Sequence, residues 1–277
     1  MHLDQIWSYP VKSMLGGRVA NGALAHNGVT GDRMFALRDG ERDAIASGRR
    51  IPGLVKLAAS LRSDGVAVIT LPDGSVVSAD EPDVDRRLSE AVAHPVSLWA
   101  KQPADNTEFY RRGRPDHEDM LTELRSIFGR DDNEPLPDLS VFPPEMIEFE
   151  YPPGNYFDAY PLMIMSTSAI RSLQAALPDV GLDERRFRPS LVIDTGDVEG
   201  HPEFSWVGQR LRIGAAEVQI LSGCPRCVMV TRDFGDGLAA DRSVLRHIVR
   251  DLDQNVGVYA NVIAPGPISE GDSVDVL

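Results

Sequence analysis

Both cysteines of this 277-residue chain fall in one stretch, Gly223-Cys224-Pro225-Arg226-Cys227-Val228-Met229-Val230-Thr231-Arg232-Asp233. A Cys-x-x-Cys redox pair normally follows a strand and opens a helix, but β-branched residues follow here and no helix start is legible. A structural zinc needs four ligands, usually from two such pairs or from added histidines at close spacing. The six histidines, His2, His26, His94, His117, His201 and His247, show no such pairing. Two small buried apolar residues remain an open alternative. So does a soft thiolate ligand to a transition metal held by a cofactor, because thiolate selects soft metals; Arg226 would help keep such a thiol ionised.

The elements that must position this stretch can be read around it. Apolar runs at Val218 to Leu221 and Val228 to Val230 predict strand, tight turn, strand, with the thiols at the turn. Residues 3 to 19 read as strand, break, strand, and contain Tyr9-Pro10-Val11-Lys12-Ser13. Only three lysines occur, Lys12, Lys56 and Lys101, against 25 arginines, so a lysine in that loop is informative. Gly28 to Leu37 predicts a glycine-bounded turn and then a strand carrying Arg33. Val66 to Leu71 and Ser75 to Val77 around Asp73-Gly74 predict a hairpin, and Asp83 to Val92 a short helix. Residues 101 to 160 are rich in proline and acidic clusters and read as a long connection with one short helix near Met120 to Phe128, a stretch that could shape a substrate entrance.

Ser166-Thr167-Ser168 before Ile170, Leu173 and Leu177 predict a capped amphipathic helix, whose N-terminus also favours an anion. Arg185-Arg186-Phe187-Arg188-Pro189-Ser190 enters an apolar strand, Leu191 to Ile193. Clustered guanidinium forks in an acidic protein suggest an anion site, with surface salt bridges to Asp183 and Glu184 as the alternative. Trp206 to Ile213 and Glu217 to Leu221 read as strands, Asp241 to Leu252 as an amphipathic helix, and Gly257 to Val262 and Ser273 to Leu277 as strands.

Composition sets bounds. A formal net charge of −14 disfavours nucleic acid and anionic membrane surfaces as partners. No basic leader followed by an apolar run and no span of about 18 apolar residues is legible. Two cysteines do not make a secreted disulfide scaffold, and a cytoplasmic location is the expectation.

Cys224-Pro225-Arg226-Cys227 with the Thr231-Arg232-Asp233 tail resembles the signature of the MOSC family, which includes amidoxime-reducing components and bacterial reductases of N-hydroxylated compounds. Tyr9-Pro10-Val11-Lys12-Ser13 and Gly31-Asp32-Arg33-Met34-Phe35 resemble the N-terminal β-barrel domain that precedes many MOSC domains. Phe157-Asp158-Ala159-Tyr160-Pro161-Leu162, Arg186-Phe187-Arg188-Pro189-Ser190, and the Tyr259 strand resemble the MOSC domain itself. The resemblance implies a mainly β fold with some helices: an N-terminal barrel-like domain at 1–100, the Pro-rich acidic connection at 101–154, and a MOSC β-barrel at 155–277. It also implies a molybdenum cofactor, molybdenum bound to molybdopterin, rather than pyridoxal phosphate. Cys227 matches the molybdenum ligand and catalytic position. Lys12, Ser13, Arg33, Ser166, Thr167, Arg188, Ser190, Arg226 and Tyr259 match cofactor contacts, with Ser190 standing where the family has Asn. The activity implied is reduction of N-hydroxylated or N-oxide small molecules by oxygen-atom transfer at the metal. Electrons would come from a separate flavoprotein, ferredoxin or cytochrome, since no iron–sulfur cysteine set is present. The competing reading is a sulfur-transfer or cofactor-carrier protein using Cys227 as persulfide or ligand.

Overall fold

The structure, a computed structural model, describes residues 1–277. It is mainly β, with 17 strands and five α-helices joined by loops and single 3-10 turns. The chain forms two compact units interleaved in sequence. One comprises Met1–Ser8, Arg18–Thr30 and Tyr160–Leu277, and the other Tyr9–Gly17 and Gly31–Ala159. They are called here the thiol unit and the lysine unit.

In the thiol unit, strands run side by side in the order Val274–Val276, Arg210–Ile213, Ala216–Pro225, Asn255–Ala264, Leu162–Ser166, Leu191–Asp194, His2–Ser8. The neighbours Leu162–Ser166 and Leu191–Asp194 are parallel; a parallel pair needs a crossover, and helix Thr167–Ala176 lies within it. The edges return to each other: Leu3 N donates to Asp272 O at 2.9 Å, and Gly271 N to Leu3 O at 2.8 Å. The sheet thus curls into the expected barrel. Period-two alternation aims Leu162, Ile164, Leu191, Ile193, Leu211, Ile213, Val218, Ile220, Val258 and Ala260 into one core. Each of these leucine, isoleucine and valine side chains contributes about 1.5–3 kcal/mol by leaving water.

The lysine unit contains the meander Ala58–Leu61, Ala67–Thr70, Val76–Ser78 and the sheet Val96–Ala100, Phe35–Asp39, Ala44–Ile45. Asp73-Gly74 turns the hairpin as its sequence demands: Gly74 holds φ +83°, and Asp73 accepts from Ser75 N at 2.9 Å. Helix Val84–Val92 buries Val84 and Leu88 in the same core as Val11, Met14, Leu54, Ile69 and Val77.

The proline-rich stretch belongs to this unit and, though much of it is exposed, buries several side chains in it. Its helix is Met120–Phe128, with Asp119 capping Thr122 N and Gly129 ending it at φ +64°. Phe109, Tyr110, Tyr151 and Tyr156 pack with Ala36 and Ile45 into a separate aromatic core. Arg50 ties the stretch down, pairing with Asp116 at 2.8 Å, with Glu150 at 3.3 Å and with Glu123.

One expected strand is absent and another is shorter than expected. Val228–Thr231 is a single 3-10 turn, because the neighbouring strand pairs no further than Asn255 opposite Pro225 and the Thr231 hydroxyl donates back to Val228 O at 2.8 Å. Pro202–Trp206 is likewise a 3-10 turn, begun by a proline, and the strand starts only at Arg210.

Candidate cofactor site

In the thiol unit, strand Ala216–Pro225 delivers the cysteine pair with register shifts at Ile220/Ser222 and Gly223/Pro225, the mark of bulges that re-aim side chains. Close approach requires glycine on both sides. A Cβ on Gly223 would lie 2.8 Å from the Asn255 side chain, and one on Gly257, at φ +73°, would lie 2.8 Å from Ile164 O.

The two thiols have different fates. Neither is in a disulfide; Cys224 is buried and Cys227 partly exposed. Arg226 Nη1 donates to Cys224 Sγ at 3.0 Å, and the Tyr259 hydroxyl bonds to the same sulfur. Burial pushes the Cys224 thiol up against the opposing pull of Arg226 and Tyr259, so it stays protonated and unreactive. Cys227 stands beyond the last strand pair, with extended backbone at φ −108°, ψ −178°, at the head of the Val228–Thr231 turn. The expectation that Arg226 attends the ligand thiol is therefore refined: its hydrogen bonds go to Cys224 and, through Nη2, to Phe187 O at 2.6 Å.

The basic cluster divides three ways. Arg185 pairs with Asp183 and Asp236. Arg186, 2% exposed, gives its donors to Gly181, Val230, Arg232 and Ala239 carbonyls. Arg188 alone sits in the left-handed region, at φ +57°.

The hydroxyls predicted nearby are engaged within the fold. Ser166 caps helix Thr167–Ala176 by accepting from Ala169 N at 3.0 Å and donates to Glu203 Oε2 at 2.5 Å. Thr167 Oγ1 donates to Asp194 at 3.1 Å. Ser190 Oγ accepts from Met163 N at 3.3 Å. Glu203 is fully buried, and its second oxygen faces His201 Nδ1 at 3.5 Å.

In the lysine unit, Lys12 is 3% exposed. Its ammonium donates to Tyr156 O at 2.9 Å and to Asp158 Oδ1 at 2.8 Å and lies 3.6 Å from the centroid of the Tyr151 ring. Arg49 reaches Tyr151 OH at 3.2 Å and Asp158 at 3.5 Å. Arg33 pairs with Asp32, which also accepts from Tyr9 N at 2.6 Å. Burial lowers the Lys12 ammonium from 10.5 to about 8, with Arg49 and Arg33 adding to the effect and Asp158 opposing it. Burial pushes Asp158 up, but Lys12, Arg49 and Arg33 outweigh it and hold the carboxyl well below the usual carboxylate range. Water reaches about half of the Asp158 side chain, which is 47% exposed, so the neighbouring cations set its charge state rather than a dry surrounding.

Ser13 at φ +65° and Arg33 at φ +47° are left-handed too. Eight non-glycine residues have positive φ, and three of them, Ser13, Arg33 and Arg188, were singled out from sequence. Such strain persists where the surroundings over-determine it, commonly at functional sites. Sequence reasoning missed Asp158, Arg49, Arg186 and Glu203 as partners. Asp158 was visible as a motif letter, and Arg49 lies in residues 41–60, which read as loop and short helix.

A model of the MOSC domain matches residues 153–275, and one of the MOSC N-terminal beta barrel domain matches residues 1–110. Mitochondrial amidoxime-reducing component 1 of Danio rerio is 33% identical over 149 residues, 50% of this chain and 44% of that protein. The human protein of the same name is 25% identical over 305 aligned positions, 99% of this chain and 82% of that one. The solved YUAD protein from Bacillus subtilis aligns over 99% of this chain and 93% of its own at 10% identity and TM-score 0.45, too loose a likeness to carry an argument. No helix is long and apolar enough to cross a membrane. Two domain models in tandem, matching the two sets of motifs in their order, make this chain a member of the MOSC family with an N-terminal MOSC β-barrel domain.

Proposed function

We propose that the chain is a molybdenum-cofactor enzyme that reduces N-hydroxylated or N-oxide compounds, with Cys227 as the protein's ligand to the metal. The observation that carries this reading is the asymmetry of the thiol pair: Cys224 is buried and bonded, Cys227 open at a strand end. Cys224 is poorly placed as a resolving thiol, which counts against sulfur transfer by a thiol pair.

The residues fit such a group. No set of three or more His, Cys, Asp or Glu side chains converges to cage a bare ion, so a metal on Cys227 would arrive with its other ligands already supplied, as a pterin dithiolene supplies them. In the lysine unit the strained Ser13 and Arg33 and the cations around Lys12, and in the thiol unit the strained Arg188, each suit an anion.

When bound, the molybdenum supplies two-electron removal of oxygen from an N–O bond. The chain's own residues position and neutralise. Cys227 would bind the metal as a thiolate, and Arg226 and Arg232 lie within electrostatic reach of its sulfur. Lys12, Ser13 and Arg33 would offer charge and a hydroxyl to a phosphate or pterin in the lysine unit. In the thiol unit Arg188 would offer an anion a guanidinium fork, while Ser166, Thr167 and Ser190 brace their local backbone and neighbours. The curated relatives are named for reducing amidoximes, whose N–OH group is the bond this chemistry opens. Electrons come from a separate donor protein.

Purification from a host that makes the cofactor, followed by molybdenum and pterin analysis per chain, tests the reading. Near-stoichiometric molybdenum that is lost in Cys227→Ser but largely kept in Cys224→Ser is expected. Protein clean of both metal and pterin, or equal loss in both variants, would overturn it.

A further inference from the structure

Two loops of the thiol unit carry Cys227 and Arg188, and each sends a buried arginine to the other's backbone. Arg226, between the thiols, donates to Phe187 O at 2.6 Å, the carbonyl just before Arg188. Arg186, two residues before Arg188, donates to Arg232 O at 3.1 Å and Val230 O at 3.5 Å, in the turn after Cys227. Its other arm reaches Ala239 O at 2.7 Å. The two arginines are 2% and 9% exposed.

Both loops need an external hold. Val228–Thr231 lies past the end of the strand ladder, and Arg188 keeps a left-handed backbone that costs about 1–3 kcal/mol unless its surroundings enforce it. A guanidinium suits the task because its fork of fixed N–H donors bridges several acceptors; an ammonium is a point charge.

We infer that Arg186 and Arg226 form a reciprocal clasp, one positioning device that fixes the loop carrying Cys227 against the loop carrying Arg188. Their contribution is geometric, made through backbone carbonyls. The inference rests on the cofactor reading for its functional consequence, while the clasp itself is tested without it.

The test uses the full chain and iodoacetamide, with peptide mapping of both cysteines. In the wild type, Cys227 is alkylated and Cys224 protected. Arg226→Lys and Arg186→Lys each raise the Cys224 rate by about tenfold through local opening. The double variant rises no further, because opening either arm releases the same clasp. In a host that makes the cofactor, molybdenum and pterin per chain fall in the same variants. Full protection and full molybdenum in the lysine variants would mean that charge alone suffices, and multiplying effects in the double variant would mean two independent supports; either overturns the clasp. Should Arg186→Lys not fold, amide hydrogen exchange at Val230 and Arg232 in Arg226→Lys decides. The clasp predicts about tenfold faster exchange there, in the loop opposite the Phe187 carbonyl that Arg226 holds, and unchanged exchange overturns it. A wild type without molybdenum or pterin removes the cofactor reading, and alkylation still judges the clasp.

Discussion

In the thiol unit, Arg186 and Arg226 aim their hydrogen bonds at carbonyl oxygens and one sulfur. In the lysine unit, Lys12, Arg33 and Arg49 face the carboxylates Asp158 and Asp32. Both arrangements satisfy buried cations, but by different physics. Carbonyl bonds are short-ranged and directional, so they organise backbone. Ion pairs act over distance, so they fix the charge balance of a site and respond to salt and pH. The first device suits a loop that must hold a thiol in place, the second a site that must receive an anion.

The largest effect is expected from Arg186→Met. It removes donors from four carbonyls around a buried position, and each unsatisfied group costs about 1–3 kcal/mol, reduced where water or relaxation reaches it. A net loss of about 3 kcal/mol in urea unfolding is expected, nearly the same at low and high salt. A loss that shrinks strongly with added salt would mean that Arg186 acts as a charge, and the contrast between the units would break.

A smaller, salt-sensitive loss is expected from Asp158→Asn. The usual penalty for orphaning a buried charge is about 3–5 kcal/mol. Water reaches half of this carboxylate, so about 1–2 kcal/mol is expected at low salt. The amide can still accept from Lys12, so what disappears is charge, and raised salt should recover part of the loss. Identical unfolding midpoints for wild type and variant at low salt would show that Asp158 does not balance the cations.

Helix Met120–Phe128 lies where the sequence places it, bounded by the Asp119 cap and Gly129, and Cys227 and Lys12 stand out in the sequence by a motif turn and a rare lysine. What the sequence did not carry depends on distance in the chain. Lys12 meets Asp158 across 146 positions, and no local pattern pairs them. Arg186 and Arg188 are two letters apart in one basic run, yet one is spent on carbonyls and the other strained at φ +57°, a distinction made by tertiary packing. Val228 to Val230 reads as a strand, yet a run this short has no period to tell strand from turn. The lack of a neighbouring strand decided it. The proline-rich stretch read as connection because prolines and acids mark loops, while Tyr110, Tyr151 and Tyr156, too widely spaced to show periodicity, build the core that holds it.

The smallest effect near neutral pH concerns Lys12, and it sharpens the lysine unit's side of the contrast. Its ammonium lies at about 8 in the folded chain against 10.5 when free, with burial the largest cause. Between those values the unfolded chain binds more protons at this site than the folded one, so the Lys12 contribution to stability rises with pH. It is fully present above 10.5 and lost as pH falls through about 8. From pH 7 to about 8.5 the gain should stay under about 1 kcal/mol. Unfolding midpoints of wild type and Lys12→Met, followed together across this range, should therefore drift apart in the wild type's favour as pH rises, since methionine keeps the apolar stem without a proton to lose. Asp158 stays ionised throughout, held down by the remaining arginines, and cannot produce the drift. Arg186 and Arg226 keep their protons over the same range, so Arg186→Met should run parallel to wild type. A parallel course for Lys12→Met as well would mean that Lys12 is solvated enough to keep its ordinary affinity for protons, and the buried-cation reading of the lysine unit would fall.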